Sequence, residues 1–180
     1  MENGINSYRK FLDGDNEGLE EMVREYQSGL ILYINCIVHN IEAAKELSEE
    51  TFVKIYVKKP KYNEKYSFKA WLYAVGRNVV RAYLRSKNKT AYIDDDLAAY
   101  DDIEREHIRS EERLAVHKAM MKLNSEYCQV LTLVFFEGMS NKEAAAVMKK
   151  TKRQIENLLY YAKKALRAEL ERGGFEYEGL

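Results

Sequence analysis

Between residues 18 and 40, Leu19, Met22, Val23, Tyr26, Leu30, Tyr33, Ile34, Ile37 and Val38 recur three and four residues apart. That spacing is one wide apolar face of an α-helix, able to meet more than one neighbour. The pattern returns over 41–59, where Ala44, Leu47, Thr51 and Ile55 form a stripe with Phe52 and Tyr56 beside it, and it stops before Pro60. A third stripe, Phe68, Trp71, Leu72, Val75 and Val79, runs through 66–88 with Ser67 placed to cap it. Four further helices are expected over 110–123, 125–138, 141–150 and 152–170. Ser125 and Ser140 precede two of them as caps, Glu143 follows Ser140 as in a capping box, and Thr151 can cap the last. Strand-type alternation is hard to find, so the expected fold is all-α.

The stretch 89–109 breaks these patterns, being polar, acidic and weakly periodic. A loop of that length inside one compact domain is unusual. The expected organisation is therefore two small helical domains, 1–88 and 110–172, joined by an acidic linker over 89–109 and followed by a flexible tail over 173–180.

Composition agrees with a soluble, helix-rich chain: 46% hydrophobic, 32% charged, one Pro and nine Gly. There is no basic-then-apolar leader and no apolar run near the roughly 20 residues that cross a bilayer, so a cytoplasmic protein without membrane insertion is expected. Cys36 and Cys128 lie far apart in apolar helical runs, which reads as two reduced core thiols rather than a disulfide or a metal site. His39, His107 and His117 are scattered without metal-ligand spacing. No Gly-rich loop cradles a phosphate. Neither a cofactor, a metal nor an enzymatic activity is expected.

Charge changes the picture more. The formal net charge is zero, yet Lys58, Lys59, Lys61, Lys65, Lys69, Arg77, Arg81, Arg85, Lys87 and Lys89 face a single acid, Glu64, across their stretch. Between Asp94 and Glu112 the sign reverses, and the last helix with its flanks is basic again through Lys149, Lys150, Lys152, Arg153, Lys163, Lys164, Arg167 and Arg172. Two basic blocks around an acidic one describe two polyanion-binding modules joined by a segment that repels polyanions.

The second block has a recognisable geometry. Ala144, Ala145, Val147 and Met148 pack one short helix, Lys149 to Thr151 connect tightly, and Ile155, Leu159, Ala162 and Leu166 form the inner stripe of a longer one. Small alanines allow a close crossing, as in a helix-turn-helix. The outer face of the second helix carries Arg153, Asn157, Tyr160 and Lys164, with Lys152 and Gln154 at its start. These groups can reach base edges and phosphates in a major groove. Pattern alone leaves a plain helical hairpin open, and Glu156 and Leu158 stand where a purely electrostatic binder would offer cations.

The two blocks together resemble a family. "LNSEYCQVLTLVFFEGMSNKEAAAVMKKTKRQIENLLYYAKKALR" resembles the promoter −35-reading domain of bacterial sigma factors, and "AAKELSEETFVKIY" with "FKAWLYAVGRNVVRAYLR" resembles their −10-reading domain. With only a short linker between them, the arrangement is similar to the extracytoplasmic-function (ECF) class of the sigma-70 family, over roughly residues 19–170. The resemblance implies a subunit that binds core RNA polymerase, contacting its β′ clamp helices and β subunit, and directs it to promoter DNA. It implies that Glu46, Leu47, Glu49, Glu50 and Phe52 dock on the clamp helices. It implies that Lys61, Tyr62, Asn63, Glu64 and Lys65 capture a flipped −10 base, and that Asn78 with Arg77, Arg81 and Arg85 faces −10 DNA. Lys152, Arg153, Gln154, Asn157 and Tyr160, with Lys164 on the same face, would read the −35 element. The acidic linker would thread polymerase channels otherwise occupied by RNA, and an anti-sigma factor is a further expected partner.

The chemistry agrees: capture of an unpaired base needs a π-face and hydrogen-bonding groups among cations, which Tyr62, Tyr66, Asn63 and the nearby lysines supply. Phe68 and Trp71 read instead as core. The chain departs from the family pattern at Glu49, Ala82, Asn124, Lys149, Glu156 and Leu158. A stand-alone helix-turn-helix regulator, dimeric on a palindromic site, is the alternative; it has no need of the N-terminal module.

Overall fold

The computed structural model describes residues 3–87 and 111–174; the expected linker at 89–109 and the tail beyond residue 174 lie outside the described residues. Helix α1 (Asn3–Leu12), α2 (Glu17–Val38), α3 (Ile41–Lys58) and α4 (Phe68–Lys87) make the N-terminal half. The C-terminal half contains α5 (Glu111–Met121), α6 (Ser125–Leu131), a π-helical turn (Thr132–Phe136), α7 (Asn141–Met148) and α8 (Lys152–Arg172). No strand occurs among the described residues.

Helix α1 is an addition to the elements expected from periodicity. Ile5, Tyr8 and Phe11 supply its inward face, and the rings of Tyr8 and Trp71 lie 5.1 Å apart. Its Tyr8 hydroxyl donates to the Pro60 carbonyl at 2.5 Å, so α1 pins the start of the loop that leads into α4. Gly18 makes the close α1–α2 approach possible, since a Cβ there would collide with the backbone at Ser7 and Phe11.

The helix ends are mostly those that the sequence dictates. Ser67 accepts from the Ala70 amide at 3.2 Å at the start of α4. Ser140 with Glu143, and Thr151 with Gln154, form complete capping boxes on α7 and α8. Ser125 is corrected: Asn124 is the cap of α6, accepting from the Tyr127 amide at 2.9 Å, and Ser125 is already helical. The expected helix over 125–138 is also modified, because α6 widens after Leu131 into the π-helical turn, closed by Glu137 N–H to Thr132 at 3.0 Å. Thr132 and Leu133 are both buried there, continuing the buried run that begins at Cys128.

Buried residues of the two halves form one continuous hydrophobic core, from Tyr8 and Leu30 through Cys36 to Leu131 and Ile155. Helix α2 meets α6 and the π-helical turn, while α4 packs on α7. The reading of Cys36 and Cys128 as separate reduced thiols is corrected here: they form a disulfide between α2 and α6, with Cα atoms 5.5 Å apart and both residues fully buried. Both were rightly placed on apolar stripes, but the stripes face each other across the junction of the halves. Around the bridge, Tyr33 donates to Gln129 Oε1 at 3.2 Å and Cys36 Sγ lies 3.3 Å from Thr132 Oγ1. Gly29 completes the seam, since a Cβ there would collide with the Glu137 carboxylate and the Tyr73 hydroxyl.

Candidate nucleic-acid interface

The outer face of α8 is built by its own inner face. Ile155, Leu159 and Ala162 are buried, which fixes the helix rotation and turns Arg153, Asn157, Tyr160 and Lys164 to solvent on successive turns. Lys152 and Gln154 are exposed at its start, where Gln154 is also committed to the capping box. Lys164 Nζ sits 5.0 Å from the centre of the Tyr160 ring, which holds that ring against the cationic end of the row. The two departures on this helix find ordinary roles. Glu156 pairs with Lys152 at 3.6 Å, and Leu158 packs against the core. Lys149 terminates α7 in the left-handed conformation at φ 54°, where glycine would be unstrained.

The N-terminal surface is arranged differently. Lys61, Asn63, Lys65, Asn78, Arg81 and Arg85 are exposed. Tyr62, expected to offer its ring to a base, is half-buried. Its ring packs edge-on against Phe68 and Trp71 at 5.6 and 5.7 Å, and its hydroxyl donates to the Tyr66 carbonyl at 2.5 Å. Burial raises its pKa, with the Glu64 charge acting in the same direction. Arg77 is drawn inward: it lies beside the buried Tyr33 hydroxyl, and its Nη1 is itself buried. Glu64 is paired with Arg9 of α1 at 3.3 Å. Beside Tyr62 and Glu64 lies a cleft of about 700 Å³, also lined by Tyr26, Lys65, Tyr66, Phe68 and Lys69. It offers rings and cations, with Glu25 and Glu64 among its walls as well; rings beside cations are the chemistry that can hold an unstacked base.

The expected polymerase-facing set divides. Glu46, Glu49 and Glu50 are exposed on α3, whereas Leu47 and Phe52 are only 3% and 5% exposed and belong to the core. Their helical spacing is that of the stripe which glues α3 to α2 rather than that of its outer face. Next to the acids, Val53, Tyr56 and Val57 are exposed apolar side chains.

Residues the sequence reading passed over also lie here. Glu143, beyond its capping role on α7, reaches the Ser67 hydroxyl at the start of α4. Desolvation opposes its charge, but hydrogen bonds from Ser67 and from the Ser140 amide and hydroxyl, with Lys69 nearby, hold its pKa below the ordinary value of 4.5. Lys69, on α4, pairs with the Glu137 carboxylate at 3.4 Å and donates to the Glu137 carbonyl at 3.1 Å. No local pattern signals either contact, because each joins the two halves.

Two small helical modules, each displaying cations beside hydrogen-bonding and aromatic groups, define an all-α, two-site nucleic-acid reader. Residues 22–90 match Sigma-70 region 2, and residues 113–166 match Sigma-70, region 4. The RNA polymerase sigma-H factor of Pseudomonas aeruginosa is 26% identical over 167 residues, covering 85% of this chain and 86% of that protein. The ECF RNA polymerase sigma factor SigM of Bacillus subtilis is 25% identical over 158 residues, covering 86% and 96%. Among solved structures, the sigma factor RpoE in complex with the anti-sigma factor NepR from Bartonella quintana shares the fold at a TM-score of 0.66, with 19% identity over 84% of this chain and 96% of that one. CnrH in complex with the cytosolic domain of CnrY shares it at 0.63, with 20% identity over 94% and 96%. The chain belongs to the sigma-70 family and to its ECF class. Its function is that of an ECF sigma factor, in which a region 2 and a region 4 serve one initiation subunit; a stand-alone regulator is not favoured. No described helix is long and apolar enough to cross a membrane.

Proposed function

We propose that this ECF sigma factor acts in the cytoplasm as a dissociable subunit without catalytic chemistry of its own, dividing promoter recognition between two surfaces. Arg153, Asn157, Tyr160 and Lys164, with Lys152 and Gln154, read the −35 duplex in its major groove. Tyr62 and Lys65 line the cleft that receives an unstacked −10 base, Lys61 and Asn63 of the same loop meet the strand outside it, and Asn78, Arg81 and Arg85 hold the adjoining backbone. Arg77, on the same helix, is half-buried beside Tyr33 of its own half and supports this surface from below. The acids Glu46, Glu49 and Glu50 dock on a basic clamp of core polymerase, with Val53, Tyr56 and Val57 as apolar contacts beside them. An anti-sigma factor is a partner of the same kind as the one that the similar RpoE binds.

The observation that carries the reading is the solvent-facing row from Arg153 to Lys164 on a capped helix, paired in one chain with the aromatic cleft before α4. A promoter reader needs both, since a duplex element is read by edge contacts and an opened one by stacking. The test is run-off transcription with purified core polymerase over a promoter library. Co-elution with core and transcripts from promoters sharing −35 and −10 motifs are expected. Absence of core binding even at low salt would refute the assignment.

A further inference from the structure

The covalent bridge between the halves has no place in promoter reading, and we infer that Cys36 and Cys128 form a redox latch: oxidation locks the two DNA-reading halves together and silences the factor, and reduction releases it. This inference rests on the proposed two-site reading. Elements centred near −35 and −10 lie roughly 25 base pairs apart, about 85 Å of duplex at about 3.4 Å per pair. A duplex that short is stiff, its persistence length being about 150 base pairs. A packed body of roughly 150 residues has a radius of gyration of about 15 Å, and so measures about 40 Å across. The latched form holds α4 directly against α7, the helix preceding the −35 reader. It cannot place α4 and α8 on both elements at once. Opening must part α2 from α6, and the bridge joins those two helices with Cα atoms 5.5 Å apart.

The surroundings favour a switch over a permanent staple. The proposed cytoplasmic site of action keeps thiols reduced, and a disulfide formed there is typically transient and redox-sensing. The rest of the seam is non-covalent, an apolar contact crossed by the polar links Tyr33 to Gln129 and Lys69 to Glu137, so the bridge is its one covalent tie among the described residues. Both sulfurs are fully buried when the halves are closed, so exchange starts from the open form. The Cys36 thiolate attacks one sulfur of a small-molecule disulfide, breaking its S–S bond and releasing one small thiol. Closure then brings Cys128 onto the mixed disulfide, where its thiolate displaces the second small thiol and forms the Cys36–Cys128 bond. Two protein thiols lose two electrons and two protons, and the small disulfide gains both as two thiols. A small-molecule thiol reverses each step.

The experiment uses full-length protein equilibrated with oxidised or reduced glutathione, peptide mapping without reductant, and run-off transcription with core polymerase. Mapping of the oxidised form is expected to give one linked peptide pair holding Cys36 and Cys128. Transcription is expected to fall about tenfold or more, and to recover with dithiothreitol. Cys36→Ala and Cys128→Ala should transcribe equally in both buffers; because the wild-type protein is compared with itself, the result stands even if a variant folds poorly. A mapped disulfide with undiminished transcription would overturn the latch, as would two freely alkylated cysteines after oxidation. If the reduced protein is inactive although it binds core, the two-site reading itself fails, and the latch as a transcription switch falls with it.

Discussion

The two proposed DNA-facing surfaces are held in different ways. On α8 the candidate reading residues are exposed and take almost no part in packing, apart from the Gln154 cap. Around α4 most cations and the asparagines are exposed as well, but two candidate residues are woven into the fold, Tyr62 in an aromatic cluster and Arg77 turned towards Tyr33. A major-groove reader only has to project side chains from a stiff helix, because the duplex supplies the shape. A site for an unpaired base has to be a walled space, so its residues are structural as well. The proposed −35 surface can therefore vary at little structural cost, whereas the proposed −10 surface cannot do so at Tyr62 and Arg77.

Substitutions should separate the two surfaces. The largest combined effect is expected for Tyr62→Ala, which removes the stacking face together with its contacts to Phe68 and Trp71. Stability should drop by about 2 kcal/mol, and binding of an opened −10 strand should weaken by roughly tenfold or more. Thermal melting and single-strand binding read the two losses separately. Arg153→Ala or Asn157→Ala should lower transcription from −35-dependent promoters about tenfold or more, with core binding and the melting temperature unchanged. A fall in core binding would mean that this face meets polymerase rather than DNA.

Smaller effects probe the support of α8. Ser140→Ala breaks the α7 capping box and should cost about 1 kcal/mol, lowering −35 and −10 activity together through stability. Lys149→Gly should raise stability by about 1 kcal/mol by relieving the left-handed turn; chemical denaturation that shows a loss instead would assign the Lys149 side chain an unrecognised contact. The smallest effect concerns acid. Glu143 has a depressed folded pKa, so its contribution is fully present above the ordinary value and disappears as the pH falls through the depressed one. The wild-type protein should accordingly lose stability below about pH 4.5 more steeply than Glu143→Gln, as seen by melting across pH.

Periodicity made most helices legible, because α2, α3, α4 and α8 each carry a stripe several turns long. Caps at Ser67, Ser140 and Thr151 could be read from residue type and spacing alone. Helix α1 escaped because three apolar residues, Ile5, Tyr8 and Phe11, make too short a stripe to stand out. Leu47 and Phe52 show the converse limit: a family motif names positions, while burial on α3 decides which of them face outward. The contacts between halves, Cys36 with Cys128, Lys69 with Glu137 and Glu143 with Ser67, leave no local trace. Each is set by how two apolar faces meet across residues far apart in the chain, and the cysteine pair is separated by 92 positions.

The continuous core has a calorimetric consequence. Apolar surface shared from Leu30 to Ile155 ties the melting of either half to that of the other. The closed protein should therefore absorb heat in one cooperative transition, with equal calorimetric and van't Hoff enthalpies. Once parted, each half holds a core small enough to be marginal alone. Heat absorption would then split into two weaker peaks, and the same scan that measures stability would report whether the molecule is shut or open.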